Sequence, residues 1–289
     1  MGQTSDLSPP VDAHQHFWAG PLPWMRPEHA AIARSFAPED LRPLLDAEGI
    51  AQTIVVQAAC DDEDTDAMFA HAVWHDWVAA VVAWVPLLEP ERARLRLDEL
   101  GSRPQLRGIR HLMHDEEDPH WILQPPVLES LALLERRGLI LELPAVWPRH
   151  LGDVPTLATS FPRLTIVIDH LGKPPIGHDL TGWAEALRAA ASHPNVAAKI
   201  SGLNTAIERA GWTADDMRAC VEIALDAFGP DRLMCGSDWP VALLNGDYRQ
   251  VWGETRRLLE LIAPDDLDSL LRDTARRLYR LGAPHPTTH

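Results

Sequence analysis

Residues 11–18 read VDAHQHFW, and two of them, His14 and His16, are two positions apart. In a β-strand successive side chains point to opposite faces, so residues two apart share a face. His14 and His16 would therefore project together at the end of a first strand. Two imidazoles in this arrangement are typical ligands of zinc or a similar divalent ion.

Two later segments supply further groups of the same kind. Residues 168–174 read IDHLGKP and contain His170, and residues 235–240 read CGSDWP and contain Asp238. Like residues 11–18, each segment ends an apolar run that is typical of a strand. An aspartate at such a position can hold a metal through one oxygen and accept a proton from water through the other. The three segments therefore predict an active site of histidine and aspartate side chains.

Apolar, strand-like runs alternate with amphipathic stretches through the rest of the chain. Most of the runs are rich in Val, Ile and Leu without clean alternation, which is typical of parallel strands covered on both faces. Thr213 as an N-cap and Gly229 as a stop mark one of the helices between them. The eight predicted strands are residues 10–16, 53–58, 79–86, 106–112, 139–143, 164–170, 196–201 and 233–238.

This alternation predicts an α/β fold, a (β/α)8 TIM barrel in a single domain. An open, doubly wound parallel sheet is the alternative. That fold would usually show a glycine-rich phosphate-binding turn after an early strand, and no GxGxxG or Walker-type sequence occurs. We assign residues 10–282 to the barrel, 1–9 to an N-terminal extension and 283–289 to a C-terminal tail. Within the barrel, residues 20–24 (GPLPW) read as a loop over its mouth.

The composition excludes several classes of partner. The sequence has 26 Lys and Arg residues against 42 Asp and Glu residues, a formal net charge of −16. This balance argues against binding to nucleic acid or to an anionic membrane, since both need basic patches. No apolar run approaches the roughly 18 residues of a membrane span, and residues 1–10 lack a secretory pattern. With three widely spaced cysteines, these features predict a cytoplasmic protein that acts on a small molecule. A homo-oligomer is left open.

The three segments above and three others, in this order, resemble the amidohydrolase superfamily. The resemblance is to its sugar-lactonase branch, the L-fuconolactonase and L-rhamnonolactonase-like proteins of the amidohydrolase-2 type. It covers about residues 11–281, nearly the whole chain. The motif HxH alone would be a weak signal, whereas the ordered set is specific. The motifs are DAHQHFW at 12–18, GIRH at 108–111, DPHW at 118–121, DHLGKP at 169–174, KISGL at 199–203 and GSDWP at 236–240.

The resemblance implies a hydrolase with His14, His16, His170 and Asp238 as metal ligands, of which Asp238 and His170 also take part in catalysis. One divalent metal ion, zinc before others, is the implied cofactor, and the branch leaves activity without a metal open. Superfamily members with two bridged metals use a carboxylated lysine at the end of strand 4. Here that strand end, residues 106–111, reads LRGIRH and has no lysine. We therefore expect at most one metal ion.

Polar and aromatic residues near the same strand ends are candidates for substrate binding. Arg110 can donate paired hydrogen bonds to a carbonyl or carboxylate oxygen, with a structural ion pair as its alternative role. Tryptophan rings offer apolar faces on which a sugar ring can stack. Lys173 stands in the motif that carries His170. The candidate substrate-binding residues are Trp18, Arg110, His111, Trp121, Lys173 and Trp239.

These features favour hydrolysis of a neutral sugar lactone, an aldonolactone such as L-fuconolactone or L-rhamnonolactone, to the aldonic acid by an activated water molecule. Two alternatives stay open. Related barrels are metal-dependent decarboxylases or hydrolases of other small carboxylated or lactone substrates. An anionic substrate calls for several cationic side chains, and the candidates for that role are Arg110, Lys173 and Lys199. The other alternative is a non-catalytic metal-binding or scaffolding protein, because a fold does not define a function.

Overall fold

Eight short strands run parallel and are hydrogen-bonded in the order in which they occur in the chain. The computed structural model describes residues 9–283, so the predicted extension and tail lie outside the described residues except for Pro9 and Ala283. Helices alternate with the strands, and the predicted (β/α)8 barrel is confirmed. The strands are β1 (Val11–Gln15), β2 (Gln52–Val56), β3 (Val78–Ala83), β4 (Leu106–Arg110), β5 (Ile140–Leu143), β6 (Ile166–Ile168), β7 (Val196–Ile200) and β8 (Leu233–Cys235).

The helices begin and end at local sequence signals. They are α1 (Pro38–Glu48), α2 (Asp62–Trp74), α3 (Pro90–Leu100), α4 (Pro125–Arg137), α5 (Val154–Ser160), α6 (Thr181–Ala191), α7 (Ala214–Phe228), α8 (Tyr248–Ile262) and α9 (Thr274–Leu278). α1 ends before Gly49, whose φ of 69° suits a residue without a Cβ. α7 follows Thr213, which forms a capping box with Asp216, and ends before Gly229. No helix among residues 9–283 is long and apolar enough to cross a membrane.

The inside of the barrel is apolar toward the start of the strands and charged above that level. Ala13 and Val56 pack there with Tyr279, which follows α9 and covers this end of the barrel. The Tyr279 hydroxyl donates a hydrogen bond to Glu142 of β5. Glu142 also accepts a bond of 2.7 Å from Lys199 of β7, and both side chains are fully buried. Such charges are tolerated inside a protein because they are paired with each other.

One extra residue in β1 brings His14 to the inside of the barrel. After Asp12, three steps along β1 match two steps along β2, which is the geometry of a β-bulge. Asp12 lies on the outer face, where its carboxylate accepts a hydrogen bond from Tyr248 of α8. His14 would share that face in a regular strand, but the bulge turns it inward, next to Lys199.

The residues that follow β8 close the barrel against β1. The N–H of Asp238 donates to the carbonyl of His14 at 2.8 Å, and the N–H of His16 donates to the carbonyl of Trp239 at 2.7 Å. At Gly236 an added Cβ would lie 2.6 Å from the Cβ of His14 and 2.7 Å from its backbone nitrogen. Only glycine allows this close approach of the two backbones. We call this contact between residues 14–16 and residues 236–239 the seam. The segments that form it also carry the candidate site.

The seam gives a stability prediction. Gly236→Ala should lower the free energy of unfolding by about 1–3 kcal/mol or more, because the methyl group overlaps the backbone of β1. Urea denaturation followed by far-UV circular dichroism measures the change. Gly253 in α8 is the matched control, since an added Cβ meets no atom within 4 Å. Gly253→Ala should be neutral or stabilise by about 0.4–1 kcal/mol. Equal stability of the two variants would contradict the close packing of the seam.

Candidate active site

Three histidines and one aspartate meet at the open end of the barrel. The Nε2 atoms of His14 and His16 are 3.2 Å apart. Oδ1 of Asp238 lies 3.3 Å from Nε2 of His16, 3.7 Å from Nε2 of His14 and 3.9 Å from Nε2 of His170. All four residues are buried. The structure therefore brings together the four residues that the sequence predicted as the centre of the site.

His170 and Asp238 lie just beyond their strands in left-handed backbone, with φ values of 54° and 58°. Both were predicted to be the last residue of a strand, and this part of the prediction is wrong. β6 ends at Ile168 and β8 ends at Cys235, after which the chain turns toward His14. Non-glycine residues in such conformations cost on the order of 1–3 kcal/mol and concentrate at active sites.

Gly202, in the KISGL motif, gives these two side chains the space that they occupy. A Cβ at this position would lie 2.3 Å from Oδ2 of Asp238 and 2.9 Å from Nδ1 of His170. Its φ of 58° is also left-handed, which disfavours a side chain. The sequence gives this motif no role beyond the family resemblance, and the structure places it in the wall of the site.

Hydrogen bonds behind the rings fix the direction in which the histidines face. Nδ1 of His16 donates to the carbonyl of Val56 at 2.7 Å, and because a carbonyl only accepts, Nε2 carries the lone pair. Nδ1 of His170 bonds to Oγ of Ser201 at 2.9 Å, which leaves its Nε2 toward Asp238. Partners of this kind orient metal-binding and proton-transferring histidines in enzymes.

The protonation states follow from burial and charge. Burial lowers the pKa of His14 and of His16, and it lowers the pKa of His170 to about 4. Burial alone would raise the pKa of Asp238, but the positive charges that His170 and His14 carry when protonated, together with nearby Lys173, bring it below its ordinary value. At neutral pH the site therefore holds neutral imidazoles around an ionised carboxylate.

Arg110 is bound into the floor of the site. Its Nε donates to Oε1 of Gln57 at 2.9 Å, Nη2 donates to the Gln57 carbonyl at 2.6 Å, and Nη1 donates to Oδ2 of Asp169 at 3.0 Å. Burial alone would raise the pKa of Asp169, but His14, Lys199 and Arg110 hold it well below its ordinary value. The structural ion pair considered for Arg110 is therefore present, although the residue also lines the cavity described next.

A cavity of about 410 Å³ opens above the cluster. His16, His170 and Asp238 form part of its lining, and Lys173 and Thr205 stand beside them. Its outer walls include Trp18, Trp24 and His114, so the loop predicted over the mouth at residues 20–24 does border the opening. This volume is of the size that a small ligand occupies.

The sequence profile of the amidohydrolase family matches residues 11–281. The chain belongs to the amidohydrolase family. The resemblance inferred from the six motifs is thereby confirmed over almost the whole chain, and with it the assignment of the protein as a hydrolase of this family.

This amidohydrolase is similar to two named enzymes and to a solved crystal structure. It is 36% identical over 290 residues to L-fucono-1,5-lactonase of Burkholderia ambifaria, with 96% of this chain and 98% of the relative covered. It is 34% identical over 294 residues to L-fucono-1,5-lactonase of Burkholderia multivorans, at 95% and 97% coverage. A crystal structure of an amidohydrolase from Burkholderia multivorans with bound zinc superposes with a TM-score of 0.89 at 34% identity, covering 95% of this chain and 100% of that one.

The donor set of this amidohydrolase fits one divalent metal ion. His14, His170 and Asp238 each offer a buried ligand atom, and these atoms lie within 4.8 Å of one another. Nε2 of His16 faces the same point. Oδ2 of Asp238 is buried and has no hydrogen-bond partner among the described residues, so it is free for a further ligand. Neutral imidazoles and a carboxylate are ligands that suit zinc.

A second group of possible ligands, His14, Glu142 and Asp169, lies deeper in the barrel. Lys199 already supplies a positive charge there. Its Nζ is 2.7 Å from Oε2 of Glu142, 3.1 Å from Nδ1 of His14 and 3.8 Å from Oδ1 of Asp169. The ammonium group occupies the position that a second metal would need. Lys199 thus belongs to the support beneath the site and is not part of the cavity lining.

The candidate substrate-binding residues divide into two groups. Trp18, Arg110 and Lys173 line the cavity, whereas His111, Trp121 and Trp239 are not among its lining residues. The rings of His111 and Trp121 stack on each other with centroids 4.0 Å apart. Trp239 packs edge to face against Phe36 and Phe17 on the outer side of β1. These three residues do lie in the segments that follow strands, as predicted, but their rings pack against other side chains and do not line the cavity.

Four supporting residues were missed in the sequence: Gln57, Glu142, Asp169 and Ser201. Glu142 lies inside the otherwise apolar β5, the other three residues directly follow β2, β6 and β7, and all four are buried. The signal in the sequence was a polar residue within or next to an apolar run. Such a residue is buried together with the run, and buried polar groups need partners. Asp169 stood in the DHLGKP motif beside His170.

The two ligand groups lead to a prediction about metal content. Elemental analysis of the chain purified without chelator should find no more than one equivalent of divalent metal, because Lys199 neutralises the deeper group. Asp238→Ala should reduce that content, since it removes the ligand that contacts all three histidines. His178→Ala, at an exposed position outside the cluster, is the control and should leave it unchanged. Two tightly held equivalents in the unmodified chain would contradict the assignment.

Proposed function

We propose that this amidohydrolase opens a neutral sugar lactone to its aldonic acid, with L-fucono-1,5-lactone as the first substrate to test. The observation that carries the proposal is the ionised Asp238, with one unpartnered oxygen, among neutral histidines at the floor of the cavity. A carboxylate in this state can accept the proton of an attacking water molecule. The two Burkholderia relatives named as L-fucono-1,5-lactonases support the choice of substrate.

The metal in the proposal is zinc, which the related crystal structure from Burkholderia multivorans contains. His14, His16, His170 and Asp238 would hold it. When bound, zinc lowers the pKa of a coordinated water and polarises a carbonyl group. Removal of the metal with a chelator, followed by addition of zinc, tests whether the activity depends on it.

The residues of the chain would act in two proton transfers. In the first, Asp238 takes a proton through Oδ2 as the water oxygen forms a bond to the lactone carbonyl carbon. In the second, Asp238 returns this proton to the ring oxygen as the bond between that oxygen and the carbonyl carbon breaks. His170, held by Ser201, stays neutral beside Asp238 and orients the reacting groups. The products are an open-chain aldonic acid and a regenerated carboxylate.

The shape and charge of the cavity favour a neutral ring over a polyanion. Trp18 and Trp24 place indole rings in the outer wall, which suit the C–H faces of a sugar. Of the three cations considered for an anionic substrate, Arg110 already neutralises Asp169 and Lys199 lies outside the cavity lining, so only Lys173 is available to a substrate carboxylate. A decarboxylase acting on an aromatic acid, the alternative from the sequence, gains no support from these contacts. A non-catalytic scaffold would have no use for the buried, ionised Asp238.

Three further expectations stay predictions. A cytoplasmic location rests on the sequence features given above. The same holds for a homo-oligomer, which the sequence leaves open, and for the expected lack of binding to nucleic acid and membranes.

The proposal is tested by a pH-indicator assay against a panel of aldonolactones, because each hydrolysis releases one proton. L-fucono-1,5-lactone should be opened with kcat/KM on the order of 10⁴ M⁻¹s⁻¹ or better. Asp238→Asn should keep the fold but lose about 10²–10⁴-fold in rate, since an amide cannot accept the proton.

The control for that variant is Asp226→Asn, which makes the same change at an exposed position of α7. It should retain full activity. Decarboxylation of an aromatic acid, with no hydrolysis of any lactone in the panel, would overturn the proposed function. A folded Asp238→Asn variant with normal turnover would overturn the role of Asp238.

A further inference from the structure

Lactone hydrolysis requires a hydrogen-bond donor for the carbonyl oxygen, on which negative charge develops as water attacks. Arg110 was the sequence candidate for this role. The structure engages three of its N–H groups, two with Gln57 and one with Asp169. A fourth contact, from Nη1, reaches Nε2 of His14 at 3.5 Å. A guanidinium has five N–H groups in one rigid plane, so these bonds fix Arg110 in the floor and limit what it can offer a substrate.

Lys173 is differently placed. Its Nζ donates to Oγ1 of Thr205 at 2.9 Å, and Thr205 is the acceptor that the described residues provide for it. The Thr205 hydroxyl donates to the carbonyl of Gly202 at 2.8 Å, so its oxygen lone pairs face the ammonium. An ammonium group has three N–H donors, and this contact uses one of them. Lys173 and Thr205 both line the cavity that contains His170 and Asp238.

The backbone also fixes this lysine. Lys173 has a φ of 54°, directly after Gly172 with a φ of 71°. An added Cβ at Gly172 would lie 3.1 Å from Leu151 and 3.2 Å from the carbonyl of Ala145, so the turn is closely packed from outside. The same left-handed turn that places His170 therefore places Lys173. Strained turns of this kind are held by their surroundings and concentrate at functional sites.

We propose that Lys173 is a catalytic residue that donates a hydrogen bond to the lactone carbonyl oxygen. This inference rests on the proposed function and names the donor that the reaction needs. As the water oxygen bonds to the carbonyl carbon, the carbonyl π electrons move onto the oxygen that Lys173 contacts. When the electrons return, the ring C–O bond breaks and Asp238 protonates the ring oxygen. Lys173 keeps its proton throughout, and Thr205 keeps the ammonium in position.

The test compares kcat and KM of Lys173→Met with those of the unmodified chain on a lactone from the panel. Loss of one oxyanion donor lowers kcat by about 10²–10³-fold, with a small change in KM. Arg188→Met on α6 is the matched control, since it removes one positive charge from a half-exposed position. It should leave kcat unchanged. Added methylammonium should restore part of kcat in Lys173→Ala, which a purely structural role for the lysine would not allow.

Thr205→Val provides a second variant in case Lys173→Met does not fold. It retains the lysine but removes its acceptor, and kcat should fall by about tenfold because the ammonium is no longer held. Normal kcat in folded Lys173→Met, or in folded Thr205→Val, would overturn the role of Lys173 while leaving the proposed function intact. Failure of the unmodified chain to open any lactone would overturn the proposed function and this inference together.

Discussion

The close approach of Gly236 to His14 is the constraint on which the rest of the structure depends. A sheet becomes a barrel only when its first and last strands meet, and here they meet through the residues after β8. The hydrogen bonds that close the barrel join the backbones of Asp238 and His14 and those of His16 and Trp239. Closure of the barrel and assembly of the site are therefore one event. The backbone hydrogen bonds that close the barrel also hold Asp238 next to the histidines of β1.

Beneath this seam, paired charges hold the reacting side chains. Lys199 and Arg110 balance Glu142 and Asp169, and His14 lies between the two pairs. Each charge would be costly alone in the interior, but removing one would leave its partner unpaired. The deeper group thus gives His14 a fixed electrostatic environment. It also places the ammonium group of Lys199 among the side chains that could otherwise hold a second metal.

The sequence predicted the eight strands, the order of the motifs and the four central residues. The convergence of the four residues follows from the motifs at the strand ends, and the strand predictions succeeded because parallel buried strands leave a strong apolar pattern. They failed where the pattern carries no information. Nothing in an apolar run shows that the chain turns left-handed at His170 or that β1 has a bulge before His14. Likewise, an aromatic residue after a strand can face the cavity, as Trp18 does, or the wall, as Trp239 does, because only packing decides between them.

The division of the site between the first and last strands has a consequence for synthesis on the ribosome. His14 and His16 are made at the beginning, and Asp238 follows more than two hundred residues later. A growing chain can form the early βα units, but it has no carboxylate in the site and no closed barrel until β8 and the residues after it emerge. The complete site therefore forms only at the end of synthesis. A chain that stops before Gly236 has an unclosed barrel and lacks the carboxylate of Asp238.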